Sequence, residues 1–330
     1  MNKNAKLVEL PETKLYKGFF APNAFVGNIK KQLYQTYWQG KYSKNSCAFV
    51  DYNKERNKDD IVKETVDILE SVFKISNHNL FEKKFNEAIS GDGQEWKRIA
   101  VLHSSSLIAL LCFYSVNEDN PLSIIIDGEK CTFTESHFEC KNKVGTDKSG
   151  KAHYSNMDVV LVGKTDDNKS VILFLESKFS EYLENGKYDG ISNDVYGGIY
   201  SKLENTKGVL NFEKNKNEWT ISAPKNNPQY CAGIKQMISH YQGITKSFLG
   251  SMCDRYDKVF LGEILFDFGD SINGDYFENY CNIYRQLATK LNEINTSEKF
   301  KVLSEILTYQ EVFNGGFKLG DKVKDFYSLK

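Results

Sequence analysis

The chain reads as α/β, with a mixed central sheet of four or more strands, flanking helices and an N-terminal helical region packed on it. Three observations predict this: helical periodicity ahead of residue 114, a switch to strand period between 131 and 179, and long helical stretches on either side of one further apolar strand. At 330 residues the chain can build a full-sized core, and 40% hydrophobic residues with only 5 Pro describe a globular protein rather than a disordered one.

Residues 59–74 place Val62, Val66, Leu69 and Phe73 at helical spacing, and 80–90 repeat the pattern with Phe81, Phe85 and Ile89 before Gly91, a natural stop. Residues 94–114 are expected to form one longer helix whose second half is almost wholly apolar. Its uncharged stretch, 99–116, contains His103 and the triplet Ser104-Ser105-Ser106, which favours a buried helix over a membrane span. The triplet lets neighbouring elements approach closely.

Strands are expected over 131–144, 157–163 and 170–179, with turns at 148–150 and 166–168. Val171-Ile172-Leu173-Phe174-Leu175 is apolar on both faces, as a central strand must be. Residues 185–228, rich in Gly, Asn and Lys, read as an insertion carrying a short helix near 198–210. A helix over 230–249, a buried strand over 258–268 and a helix over 276–294 follow. The division expected is a basic, aromatic and helical region over 1–93 and a sheet domain over 94–330.

The 43 Lys and Arg against 44 Asp and Glu give a net charge of −1, which excludes binding to nucleic acid or anionic lipid through bulk charge. The charge is segregated, however. Residues 13–50 hold Lys14, Lys17, Lys30, Lys31, Lys41 and Lys44 with no acidic residue, interleaved with aromatic rings. Such an arm contacts phosphates and bases, or packs its rings in the core with the lysines at the rim. Residues 141–153 add Lys141, Lys143, Lys148 and Lys151 against Asp147.

Seven cysteines form no CxxC pair, and Cys112 lies in an apolar run, which points to a reducing compartment. The first residues lack the apolar segment of a secretory signal. A cytoplasmic protein with no membrane partner is the expectation. Cys131, His137, Cys140 and His153 invite a zinc reading, but their spacing lacks the close ligand pairs of structural zinc sites.

The chemistry concentrates where the central strand ends in charge, as Phe174-Leu175-Glu176-Ser177-Lys178-Phe179. Residues two apart in a strand share a face, so Glu176 and Lys178 project together. Asp158, at the start of the preceding strand, is placed to lie beside them. Two carboxylates suit a hard divalent cation, and phosphodiester hydrolysis uses a metal with a nearby ammonium that orients water or stabilises developing charge.

Asp158, a gap of 17 residues, then Glu176-Ser177-Lys178 resembles the PD-(D/E)xK nuclease superfamily, in its restriction-endonuclease-like branch. The αβββαβ core of that superfamily matches the element order read above over about 94–268. The resemblance extends to Glu181 after the third strand and to Lys235, Gln236 and His240 on a later helix. Met157 stands before Asp158 where the motif has proline.

The resemblance implies a Mg²⁺-dependent endonuclease acting on DNA, with Mn²⁺ as a substitute. Asp158 and Glu176 would bind the metal, Lys178 would assist the attacking water, and Gln236 would support the site. Either Glu95 or Glu139 would complete it. Gln236 and His240 also admit a reading as a polar stripe on one helix face. Because enzymes that cut both strands are often dimers, a homodimer is expected. Two alternatives stay open: a non-catalytic nucleic-acid-binding or assembly module on the same fold, and an unrelated metal-dependent hydrolase.

Overall fold

The computed structural model describes residues 50, 56–91, 95–101, 104–179, 181, 191–204, 211–215, 218–222, 233–251, 253–269, 275–314, 316–327 and 329. The basic aromatic segment below residue 50 lies outside the described residues, as do His103 and much of 182–232.

The first helices form as their patterns predict. Helix α1 (Lys58–Phe73) begins at Asn57, whose side chain accepts the Asp59 N–H, and α2 (His78–Ala88) begins at Asn77 in the same way with Leu80. Leu69, Phe73, Phe81 and Phe85 are fully buried, each contributing roughly 1.5–3 kcal/mol of hydrophobic stabilisation. The expected single helix over 94–114 is instead two, α3 (Glu95–Arg98) and α4 (Ser105–Phe113). Ser104 explains the break: its Oγ accepts the Leu107 N–H and starts a new helix.

Among the described residues the main sheet has seven strands: β1 (Leu122–Ile126), β2 (Glu129–Thr146), β3 (Ala152–Thr165), β4 (Ser170–Lys178), β8 (Lys258–Leu265), β9 (Phe300–Val302) and β10 (Leu307–Thr308). They run β1-β2-β3-β4-β8-β10, with β9 also paired to β8. The pairs from β1 to β4 are antiparallel, and β8 is parallel to β4, β9 and β10, so the sheet is mixed. Strand β1 escaped the sequence reading, although Asp127-Gly128 with φ of 54° and 80° forms the tight turn that joins it to β2.

Between β4 and β8 lie β5 (Ile191–Ser192), α5 (Asn193–Leu203), β6 (Asn211–Asn215), β7 (Glu218–Ser222) and α6 (Ile234–Gly243). The insertion is thus a small antiparallel sheet of β5, β7 and β6 beside a helix that starts earlier than expected. The helix expected over 230–249 is α6 continued by a π-helical turn, Ile244–Phe248. The chain closes with α7 (Asp275–Glu293), α8 (Tyr309–Phe313) and α9 (Asp321–Tyr327).

The two sheet faces bury separate cores. Val171, Leu173 and Leu175 of β4 pack with α1, α2, α4, α8 and α9, while Ile172 and Phe174 pack with α5, α6 and α7. The result is an α/β fold with the αβββαβ order of α4, β2, β3, β4, α6 and β8. Helix α6 sits so close to the β2–β3 hairpin that a Cβ on Gly243 would lie 2.7 Å from Ser155 Oγ and 3.0 Å from Asn142 Cβ. Glycine there lets α6 lie directly on β2 and β3.

Candidate active site

Glu176 and Lys178 continue the β4 face that carries Ile172 and Phe174. Opposite them α6 presents Gln236 and His240. The Lys178 Nζ donates to Glu176 Oε1 at 2.6 Å and to Gln236 Oε1 at 2.7 Å, and Gln236 Nε2 donates to the same Glu176 oxygen at 2.7 Å. His240 Nε2 bonds the other oxygen, Glu176 Oε2, at 2.8 Å. The side chains of Glu176, Lys178 and His240 are each over nine-tenths buried. Burial works to raise the Glu176 pKa, but the Lys178 ammonium and His240 outweigh it and hold it down to about 2. Burial likewise works against the Lys178 charge, and the Glu176 carboxylate more than offsets it, so the ammonium is held charged.

Ser177 points the opposite way. Its Oγ donates to Ser105 O at 2.9 Å and bonds the Tyr309 hydroxyl at 2.7 Å, fastening the strand end to α4 and α8. Its backbone N–H donates to Asp158 Oδ2 at 2.8 Å. Asp158 therefore lies beside Glu176 as predicted, but in the middle of a long β3 rather than at a strand start.

A local irregularity places it there. Phe138 and Val159 are paired and face one core, whereas the next pair, Cys140 and Met157, faces the other. The alternation slips on both strands at Glu139 and Asp158, and Glu139 takes a φ of 48°, unusual for a residue with a side chain. Both carboxylates line a cavity of about 640 Å³ with Glu176, Lys178, Gln236 and His240. Burial, and then the charges of Glu176 and Glu139, raise the Asp158 pKa well above the ordinary range despite Lys178. Glu139 is pushed up to about 8 by burial, then by Glu95 and Glu176, with Lys141 and a hydrogen bond from Asn156 acting against this.

Glu95 and Glu139, alternatives in the sequence, both reach the cavity. They are packed so tightly over Gly91 that a Cβ there would sit 2.6 Å from Glu95 Cδ and 2.9 Å from Glu139 Oε2. Among the described residues no group of three or more His, Cys, Asp and Glu is arranged to enclose a metal ion. Mg²⁺ asks less, since it keeps several waters and binds through one or two carboxylates plus substrate phosphate. Burial first and carboxylate repulsion second raise Asp158 and Glu139, and a cation relieves the repulsion, so the donor set fits such an ion.

The zinc alternative finds no support among the described residues: His153 pairs with Asp147 at 2.9 Å, and Cys131 packs in the core. A second large cavity, about 710 Å³, lies across α6 and carries Lys202, Lys246 and Lys299. No described residue lining it is a carboxylate.

Sequence reasoning missed Tyr154, Ser155 and Asn156, which also line the cavity that holds Asp158 and Glu176, and Glu263. Glu263 is the β8 register partner of Glu176, fully buried, and accepts a hydrogen bond from the Tyr280 hydroxyl at 2.7 Å. Gly233, with φ of 93°, leads into α6 directly against this pair, where a Cβ would lie 2.2 Å from the Tyr280 hydroxyl oxygen. A lone carboxylate interrupting the apolar run from Val259 to Phe266 was the available signal.

Among the described residues no helix is long and apolar enough to cross a membrane. Among curated proteins and among solved structures, none matches the chain. A family model described as "Restriction Endonuclease associating with ARP" matches residues 30–254, a span that holds α1 to α6, four strands of the main sheet and every residue of the Asp158, Glu176, Lys178 and Gln236 set. With that match over more than half its length, the chain belongs to this restriction-endonuclease-like family.

Proposed function

We propose that the chain is a Mg²⁺-dependent endonuclease that hydrolyses phosphodiester bonds in DNA. The observation that carries this reading is the Lys178 ammonium, held by Glu176 and Gln236 in the cavity where Asp158 and Glu139 crowd together. Asp158 and Glu176 would hold the cation, which when bound polarises a phosphoryl oxygen and lowers the pKa of a water. Lys178, kept charged by Glu176, orients that water and faces the negative charge that builds on the phosphate. Gln236 bonds both partners, so one amide sets the spacing of acid and ammonium. His240 fixes the second Glu176 oxygen. The family match supports a nuclease and, through it, DNA as partner.

One observation favours a second reading, a non-catalytic nucleic-acid-binding or assembly module. Both Glu176 oxygens are already engaged by Lys178, Gln236 and His240, so each has a hydrogen-bond partner from the protein itself. Incubating the full chain with plasmid DNA separates the two. The nuclease reading expects nicked or linear product with Mg²⁺ or Mn²⁺ and none in EDTA. DNA binding without product under either metal is the outcome of the second reading.

A further inference from the structure

The pairing of β3 with β4 covers only Val159–Lys164, whereas β2 and β3 stay paired from Cys140↔Met157 out to Thr146↔Ala152. The outer part of the hairpin is therefore a two-stranded ribbon extending past β4, next to the active-site cavity. One of its faces is spent on packing: Asn142 and Ser155 meet Gly243, and Gln242 Nε2 donates to Val144 O at 3.1 Å. The opposite face carries Lys143 paired with Tyr154, then Lys141 paired with Asn156, then the level of Glu139 and Asp158. Tyr154, 47% exposed, is one of two large exposed hydrophobic side chains among the described residues. Tyr154 and Asn156 line the same cavity as Asp158.

From these placements we infer that the outer face of the β2–β3 ribbon is the track along which a DNA strand enters the active site. Lys141 and Lys143 hold backbone phosphates two nucleotides apart on that strand, and Tyr154 stacks against a base or sugar. The dimensions agree: a two-residue step along a strand is about 6.8 Å, close to the axial rise of two nucleotides. The charge agrees as well. Asp147, the one acid of the ribbon tip, is engaged by the Ser149 hydroxyl, the Lys151 N–H and His153, so its charge is satisfied within the turn. Asn156 joins track to site, because its side chain hydrogen-bonds Glu139. A loop that merely caps a hairpin has no need of an exposed ring at the cavity mouth flanked by two cations.

This inference rests on the nuclease reading for its partner, but its test does not depend on cleavage. Binding of the full chain to a labelled DNA duplex is measured by fluorescence anisotropy in EDTA over a salt series, with thermal melts confirming that each variant is folded. The Lys141→Ala/Lys143→Ala variant is expected to flatten the slope of log affinity against log salt by about 1.8, roughly 0.9 per lost phosphate contact. Tyr154→Ala is expected to weaken binding about 5- to 150-fold. Lys130→Ala/Lys164→Ala, at the far end of the same two strands, should leave both quantities unchanged. An unaltered salt slope in the Lys141/Lys143 variant, or wild-type affinity in Tyr154→Ala, would overturn the track even if the enzyme cuts DNA. Loss of binding in these variants from a wild-type protein that never cuts would keep the track and remove the nuclease reading.

Discussion

Asp158→Asn is expected to lower DNA cleavage at least about a thousandfold while leaving the fold intact, because a cation's stabilisation of transition-state charge is worth several kcal/mol and each 1.36 kcal/mol is a factor of ten. The amide keeps the shape of the carboxylate and can still accept the Ser177 N–H through its oxygen. What it loses is the negative charge that would meet the metal. Stability should move the other way. Burial, Glu176 and Glu139 raise the Asp158 pKa, so the folded chain keeps a proton that the unfolded chain releases near the ordinary carboxylate range. Over that window the folded state binds more protons, and stability is greatest at its acidic end and declines as pH rises. Asparagine has no proton to lose. Thermal melts from roughly pH 4 to pH 8 should therefore show a flatter pH dependence in the variant than in the wild type. A variant that cuts at the wild-type rate would remove Asp158 from the site.

Lys178→Met is expected to abolish cleavage and also to destabilise the fold by about 3–5 kcal/mol, because it strands the buried Glu176 charge. His240 and Gln236 remain as Glu176 partners, but the largest favourable charge is gone. If this account of the destabilisation is right, adding Glu176→Gln to Lys178→Met recovers much of the lost stability, since a neutral amide needs no ammonium. Activity does not return. Chemical denaturation of the single and double variants measures the first claim, and the plasmid assay measures the second. A double variant less stable than Lys178→Met would mean that Lys178 contributes through packing rather than charge.

Much of this site was legible because strand geometry is strict. Glu176 and Lys178 two apart on an apolar strand had to share a face, and the face that holds Phe174 had to meet a helix. The helix with Gln236 and His240 could be recognised by its pattern, but not how closely it lies on the β2–β3 hairpin. That depends on Gly243 against Ser155, a tertiary contact without a local signal. Asp158 and Glu139 were named through the motif resemblance, but the slipped alternation that turns both into one cavity is contained in no reading of a regular two-residue period. The helix over 94–114 broke because a capping serine outweighed apolar continuity. The C-terminal strands β9 and β10, of three and two residues, are too short to show a period, and their pairing with β8 alone defines them.

The central claim is that Asp158 and Glu176 share one cation beside Lys178. Crystals of the full chain soaked in Mn²⁺ and measured at the manganese absorption edge test it without reference to turnover. An anomalous peak is expected within about 2.0–2.3 Å of an oxygen of Asp158 and of Glu176, with Lys178 and Gln236 still hydrogen-bonded. A fully ordered cavity with no peak at saturating Mn²⁺, and Glu176 still bound to Lys178, Gln236 and His240, would contradict it.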